Sequence, residues 1–163
     1  MSKLILALGS NLGDREKNLN NAIALITRKI GDIEKTSSFH KTAPVEMVSE
    51  NYFLNAVILV KTKLSVYQAF KQTQRIEKIL GRKQKSQNGV HFDRTIDIDV
   101  LFYNNLKIRT KRLTLPHPKI QFRDFVLIPL KEICTDYLIS DYLISRFQIP
   151  KFRLPKIFEF LNF

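Results

Sequence analysis

The run Tyr52–Thr62, YFLNAVILVKT, is apolar on both faces at its centre. A strand with that pattern belongs inside a β-sheet, where neither face meets water. Asn55 is its odd polar member. The chain around it supplies the other elements of a sheet. Lys3–Leu8 is a short apolar strand, and GSNLGD turns into an amphipathic helix over about Asp14–Ile30, with Leu19, Ala22, Ile23, Ile26 and Ile30 on one face and Gly31 closing it. Ile33–His40 predicts a second strand, after which Pro44 in KTAPVEMVSEN forbids regular continuation.

Beyond the apolar strand, Ser65 and Gln68 form a capping box for a helix whose inner face is Val66, Ala69, Phe70, Thr73, Ile76 and Leu80, and Gly81 ends it. The apolar-poor loop GRKQKSQNGVH leads into a last strand, Phe92–Tyr103, FDRTIDIDVLFY. The order β-α-β-β-α-β is the ferredoxin-like arrangement of the α/β (α+β) class: an antiparallel four-stranded sheet with helices on one face and the other face free. Asn104 and Asn105 predict a turn into a strand over Leu106–Leu115, PHP marks a break, and Lys119–Ile133 reads as a helix disturbed at Pro129. The tandem Asp136–Ser140 and Asp141–Ser145 is too brief to signal a repeat architecture.

A length of 163 residues, 44% hydrophobic, suits a single domain over 1–163 that buries roughly two-thirds of its unfolded surface. No run approaches the ~20 apolar residues of a membrane span, and MSKLILALGS lacks the pattern of a signal peptide. A soluble, cytoplasmic monomer with no membrane partner is expected. The single Cys134 cannot form an internal disulfide, and the three histidines do not cluster, so no zinc-type ligand set is available. The 27 Lys and Arg against 15 Asp and Glu give a net charge of +12, which favours polyanions such as nucleotides, phosphorylated metabolites or nucleic acid. The bland alternative is a basic solvated surface without specific meaning.

Asp97 and Asp99 carry the chemistry. Alternation puts Thr95, Asp97 and Asp99 on one face of the last strand and Ile96, Ile98 and Val100 on the other. Asp is depleted in strands, and two like charges on one face raise each other's pKa unless a cation intervenes. With oxygen ligands and no nearby His or Cys, Mg²⁺ is the suitable ion, and a pair of ions could be held. The alternatives are a wet edge strand, or neutralisation by Arg94 and neighbouring lysines. There is no G-x-x-x-x-G-K-[ST] phosphate loop, and GSNLGD lacks its lysine. Cations are supplied instead by Arg82, Lys83, Lys85, Arg94, Arg112, His117 and Arg123, a set that with an Asp pair suits phosphoryl transfer. Glu77 opposes the dipole at the end of its helix.

These segments, LALGSNLGD, SSFHKTAP, YFLNAV, TQRIEKILGR, RTIDIDVLFY, RLTLPHP and RDFVLIPL, resemble in order and spacing the 6-hydroxymethyl-7,8-dihydropterin pyrophosphokinase family of folate biosynthesis, over about residues 4–133. The resemblance implies a ferredoxin-like fold and transfer of the β,γ-pyrophosphoryl group of ATP to the pterin hydroxymethyl group, releasing AMP, with two Mg²⁺ ions. It implies Asp97 and Asp99 as ligands of both ions, and Arg82 and Arg94 as steadying the transferring group. The pterin would lie near Thr42, Ala43, Pro44, Val45, Phe53, Asn55 and Phe125, with the two rings sandwiching it and Asn55 reading its polar edge. ATP would meet Gln74, Glu77, Arg94, Arg112, Thr114, His117 and Arg123. This chain departs from the pattern at Gln84 and at His91, Phe92 and Asp93, where an acid stands beside the proposed metals. Residues 134–163 lie outside the resemblance. The rival reading is a nucleic-acid-binding module on the same fold; the Asp pair, which repels phosphate without metal, speaks against it, so no nucleic-acid partner is expected.

Overall fold

A computed structural model of the chain describes residues 1–45, 49–81 and 93–133. In chain order it contains β1 (Ser2–Ser10), α1 (Arg15–Lys29), β2 (Gly31–Thr36), β3 (His40–Thr42), β4 (Phe53–Thr62), α2 (Val66–Ile79), β5 (Asp97–Tyr103), the short β6 (Ile108–Arg109) and β7 (Thr114–Leu115), a 3-10 turn at Ile120–Phe122 and α3 (Asp124–Ile133). The main sheet runs β2-β4-β1-β5, every neighbouring pair antiparallel, with β3 also on β4. That order is the ferredoxin-like one.

Local signals set the helices. The Asp14 carboxylate accepts from Lys17 N at 3.0 Å at the start of α1. Ser65 and Gln68 cap α2 reciprocally, and Gly81 leaves the helix at φ +95°. Against one face of the sheet, α1 and α2 bury Leu19, Ala22, Ile26, Val66, Ala69 and Ile76 on Leu4, Leu6 and Leu8 of β1, Ala56, Ile58 and Val60 of β4, and Ile98 and Val100 of β5. Each fully buried aliphatic side chain there contributes about 1.5–3 kcal/mol.

Several expectations are corrected. Gly31 does not cap α1; it opens β2, and a Cβ on it would lie 2.0 Å from the Lys61 carbonyl oxygen, so close strand approach demands the glycine. The expected strand Ile33–His40 is two, β2 and β3, both on β4. Between them Ser37 N donates to Val57 O at 2.9 Å while the Ser37 hydroxyl accepts from Val57 N at 2.9 Å, so a side chain replaces a ladder carbonyl. Leu106–Leu115 is a small β6–β7 hairpin rather than one strand, entered through Asn104 at φ 45°. The C-terminal helix begins at Asp124 and runs through Pro129, which forfeits one amide donor while Val126, Leu127, Pro129, Leu130 and Ile133 are buried.

The second face of the sheet, expected to be free, is partly covered. α3 packs Val126, Leu127, Leu130 and Ile133 on Ile5, Val57, Leu59, Leu101 and Phe102. A bulge opposite Ile5 and Leu6 puts Leu101 and Phe102 together on this face. Glu132 ties the helix to the edge strand: one oxygen accepts from Ser38 N at 2.7 Å and the other pairs with His40 Nε2. Among the described residues no helix is long and apolar enough to cross a membrane. Cys134, the tandem Asp136–Ser145 and the aromatic tail Phe147–Phe163 lie outside the described residues.

Candidate active site

Where α3 stops short, the same face of the sheet floors a cavity of about 300 Å³. β1 contributes Ala7 and Gly9, β4 contributes Phe53 and Asn55, and β5 contributes Asp97 and Asp99. Walls come from Thr42 at the end of β3 and Ala43 and Val45 after it, from His117, Pro118 and Lys119, and from Arg94, Arg123 and Phe125. Strand register explains the meeting: Gly9 stands opposite Asn55 on one side and Asp97 on the other. A Cβ at Gly9 would lie 3.0 Å from Asn55 Oδ1, so this glycine makes room for the amide. Asn55 is 4% exposed, and its Nδ2 donates to Thr42 Oγ1 at 2.7 Å, which fixes the amide toward the pocket wall.

The two carboxylates each face an arginine. Arg94 Nη1 lies 2.9 Å from Asp97 Oδ2, and Arg123 Nη1 lies 3.5 Å from Asp99 Oδ2. The Arg123 guanidinium also sits over the Phe125 ring, 5.6 Å from its centroid. The neutralisation by Arg94 weighed from the sequence is therefore present in the protein alone. Among the described residues no group of three or more His, Cys, Asp or Glu converges, so a cation at the Asp pair would complete its shell with phosphate oxygens and water. The donor set, two carboxylates on one face of a strand with cationic side chains beside them, fits a hard ion arriving with a polyphosphate.

Of the residues singled out by sequence, Thr42, Ala43, Val45, Phe53, Asn55, Arg94, Asp97, Asp99, His117, Arg123 and Phe125 line this one cavity. Pro44 lies between two lining residues without lining it. Gln74 and Glu77 are on α2, against the opposite face of the sheet; Glu77 is 6% exposed and its Oε1 accepts from Ile98 N at 2.8 Å. Arg112 is exposed beside β7, and Thr114 Oγ1 is directed to Thr110 O at 3.5 Å. Thr95, expected on the carboxylate face, precedes β5 and donates to Leu80 O at 2.9 Å instead. Arg82, Lys83, Gln84, Lys85, His91 and Phe92 lie outside the described residues. Gly9 and Lys119 were not singled out as site residues from the sequence; Gly9 was read as the start of the GSNLGD turn, whereas β1 runs on through it to Ser10, and Lys119 was read as the start of a helix.

A family model described as 7,8-dihydro-6-hydroxymethylpterin-pyrophosphokinase (HPPK) matches residues 5–135. The 2-amino-4-hydroxy-6-hydroxymethyldihydropteridine pyrophosphokinase of Porphyromonas gingivalis is 41% identical over 134 residues, 82% of this chain and 91% of the relative. The protein of that name from Bacillus subtilis is 42% identical over 130 residues, 79% of this chain and 76% of the relative. Among solved structures, the HPPK-DHPS A437G protein of Plasmodium falciparum with SDX-DHP aligns at a TM-score of 0.65 and 16% identity, over 91% of this chain and 47% of that one. At that identity the likeness is one of fold.

Proposed function

The chain belongs to the 7,8-dihydro-6-hydroxymethylpterin-pyrophosphokinase family, and from that premise we propose that the cavity floored by Asn55, Asp97 and Asp99 is where its reaction takes place. The reaction is transfer of pyrophosphate from ATP to 6-hydroxymethyl-7,8-dihydropterin, a step of folate biosynthesis that leaves AMP. The observation that carries the site is the convergence on one end of one sheet face of two carboxylates, a buried amide, two phenylalanines and two arginines.

In this reading Asn55, held by Thr42, hydrogen-bonds the polar edge of the pterin, while Phe53 and Phe125 supply apolar contact for its rings. Pro44 shapes the turn between Ala43 and Val45. Asp97 and Asp99 would hold two Mg²⁺ ions, which when bound neutralise charge on the transferred phosphates. Arg94 and Arg123, already at the carboxylates, are within reach of the same phosphates, and a guanidinium pairs with phosphate oxygens in the same bidentate way as with carboxylate. His117 and Lys119 extend the polar wall toward the nucleotide, with Arg112 and Thr114 as outer contacts, and Arg82 steadies the transferring group together with Arg94. Glu77 acts beneath the site, by holding the Ile98 amide between the two aspartates. The reading includes a monomer that acts in the cytoplasm on small molecules and binds neither nucleic acid nor membrane; light scattering tests the first part.

The test is AMP release from ATP and Mg²⁺ with and without the pterin, with the product's mass recorded, for the wild type, Asp97→Asn and Asp99→Asn. AMP is expected only with the pterin, and each substitution is expected to lower kcat by about a hundredfold or more, as loss of an electrostatic group at the reacting centre does. Near-normal turnover in both variants would remove the carboxylates from the site.

A further inference from the structure

Asp93 does not line the cavity, yet side chains from two other segments converge on it. Asn11 Nδ2 and Ser49 Oγ each donate to Asp93 Oδ1 at 2.7 Å, and Asn51 Nδ2 donates to Oδ2 at 2.7 Å. Asn11 follows β1, and Ser49 and Asn51 lie in the connection between β3 and β4. Asn11 also grips the backbone next to Asp93: its Oδ1 accepts from Arg94 N at 2.8 Å, and its own N donates to Arg94 O at 3.2 Å. The guanidinium of the residue so held reaches Asp97. The hydrogen bond from Ser49 is the largest cause that holds the Asp93 carboxyl below its ordinary value; burial opposes it, and Asn51, Asn11 and the charge of Arg94 add to it. By sequence alone Asp93 looks like an acid that would repel a nucleotide. In the structure its oxygens are engaged by protein donors.

We propose that Asp93 is a positioning residue for the transfer: its carboxylate ties the chain just before β4, which carries Phe53 and Asn55 of the cavity, to the segment that carries Arg94. The side chains that meet the pterin and the arginine that meets the phosphates are thereby set relative to each other, and small misplacements of reacting groups cost large factors in rate. The inference rests on the site assignment above.

The experiment compares Asp93→Ala and Asp93→Asn, each with Arg94 present and in an Arg94→Ala background, at a temperature where melting curves show every protein folded. Asparagine keeps one acceptor oxygen but presents an NH₂ to one of the donors, so it cannot satisfy all three. With Arg94 present, kcat is expected to fall by roughly tenfold or more while KM for ATP stays within about twofold. In the Arg94→Ala background the Asp93 substitutions should cost nothing further, because the group they position is gone. The same loss factor in both backgrounds, unchanged kcat, or a fall in KM for ATP without loss of kcat would overturn the proposal, the last because the carboxylate would then act only as a charge. Arg94→Ala with wild-type kcat would instead overturn the site assignment beneath it. Should Asp93→Ala not fold, the double variant Ser49→Ala with Asn51→Ala unties the same carboxylate from the other side; it is expected to reproduce the loss of kcat, and normal kcat there refutes the proposal.

Discussion

Truncating Glu77 separates a role beneath the site from a role at the nucleotide. Its carboxylate is buried in the last turns of α2 and accepts from the Ile98 amide at 2.8 Å. Ile98 is 5% exposed and stands between Asp97 and Asp99 in β5. Glu77→Ala takes this acceptor from a buried N–H, a change that costs about 1–3 kcal/mol. For a chain of 163 residues each kcal/mol moves Tm by about 2–4 °C, so a loss of about 2 kcal/mol is expected to lower Tm by roughly 4–8 °C. Glu77→Gln keeps a carbonyl oxygen at the same reach and should recover most of that. Because the Ile98 amide fixes the strand between the two carboxylates, kcat should fall with Tm in the alanine variant and return with it in the glutamine variant. Thermal unfolding followed by circular dichroism, with steady-state AMP release on the same three proteins, measures both. A Glu77→Ala protein that melts with the wild type while its KM for ATP rises would refute the reasoning, and would place the carboxylate at the nucleotide.

Two further perturbations test the frame. Gly31→Ala would set a Cβ 2.0 Å from Lys61 O and 3.0 Å from Thr62 Cα, backbone atoms that cannot yield without breaking the β2–β4 register; a loss of about 3 kcal/mol or more is expected in urea unfolding, and a wild-type midpoint would show that the strands do not approach so closely. Burial raises the Glu132 carboxyl, but the Ser38 amide and His40 outweigh it and leave it below its ordinary value of 4.5. A depressed carboxyl contributes stability that is complete above its unfolded value and is lost as pH falls through the folded one. Acid unfolding of the wild type should therefore steepen below pH about 4.5 relative to Glu132→Gln, and parallel curves for the two would count against this docking of α3.

What the sequence disclosed depended on how far apart the causes lie. Caps and helix faces are local: Asp14 and Lys17, Ser65 and Gln68, Gly81 at the end of α2. The Asp pair and Asn55 stood out because each contradicts the strand it occupies, and the arginines stood out only as charges suited to phosphoryl transfer; the family resemblance supplied Phe53 and Phe125 and gave the arginines their roles. Long-range causes were hidden. Gly31 follows a helix and so resembles a cap, but its reason is a carbonyl on β4. Asp93 reads alone as a misplaced acid, and its three partners lie 82, 44 and 42 residues away.

The alternation of β5 shows both the power and the boundary of such reading. Counting by twos from Asp97 puts residues 97, 99, 101 and 103 on one face. The structure keeps Asp97 and Asp99 on the cavity face, then inserts the bulge at the level of Ile5 and Leu6, so that Leu101 and Phe102 both meet α3. Tyr103 is thereby returned to the helix side, where its hydroxyl donates to Leu64 O at 2.6 Å. A bulge shifts parity only on its far side. The site lies on the near side, which is why two aspartates could be assigned to one face without knowledge of the sheet. α3 packs on both sides of the bulge, on Val57 at the level of Asp99 and on Leu101 and Phe102, and the face it covers looked free because the covering residues Val126, Leu127, Leu130 and Ile133 follow the sheet in the chain and no strand pattern records them.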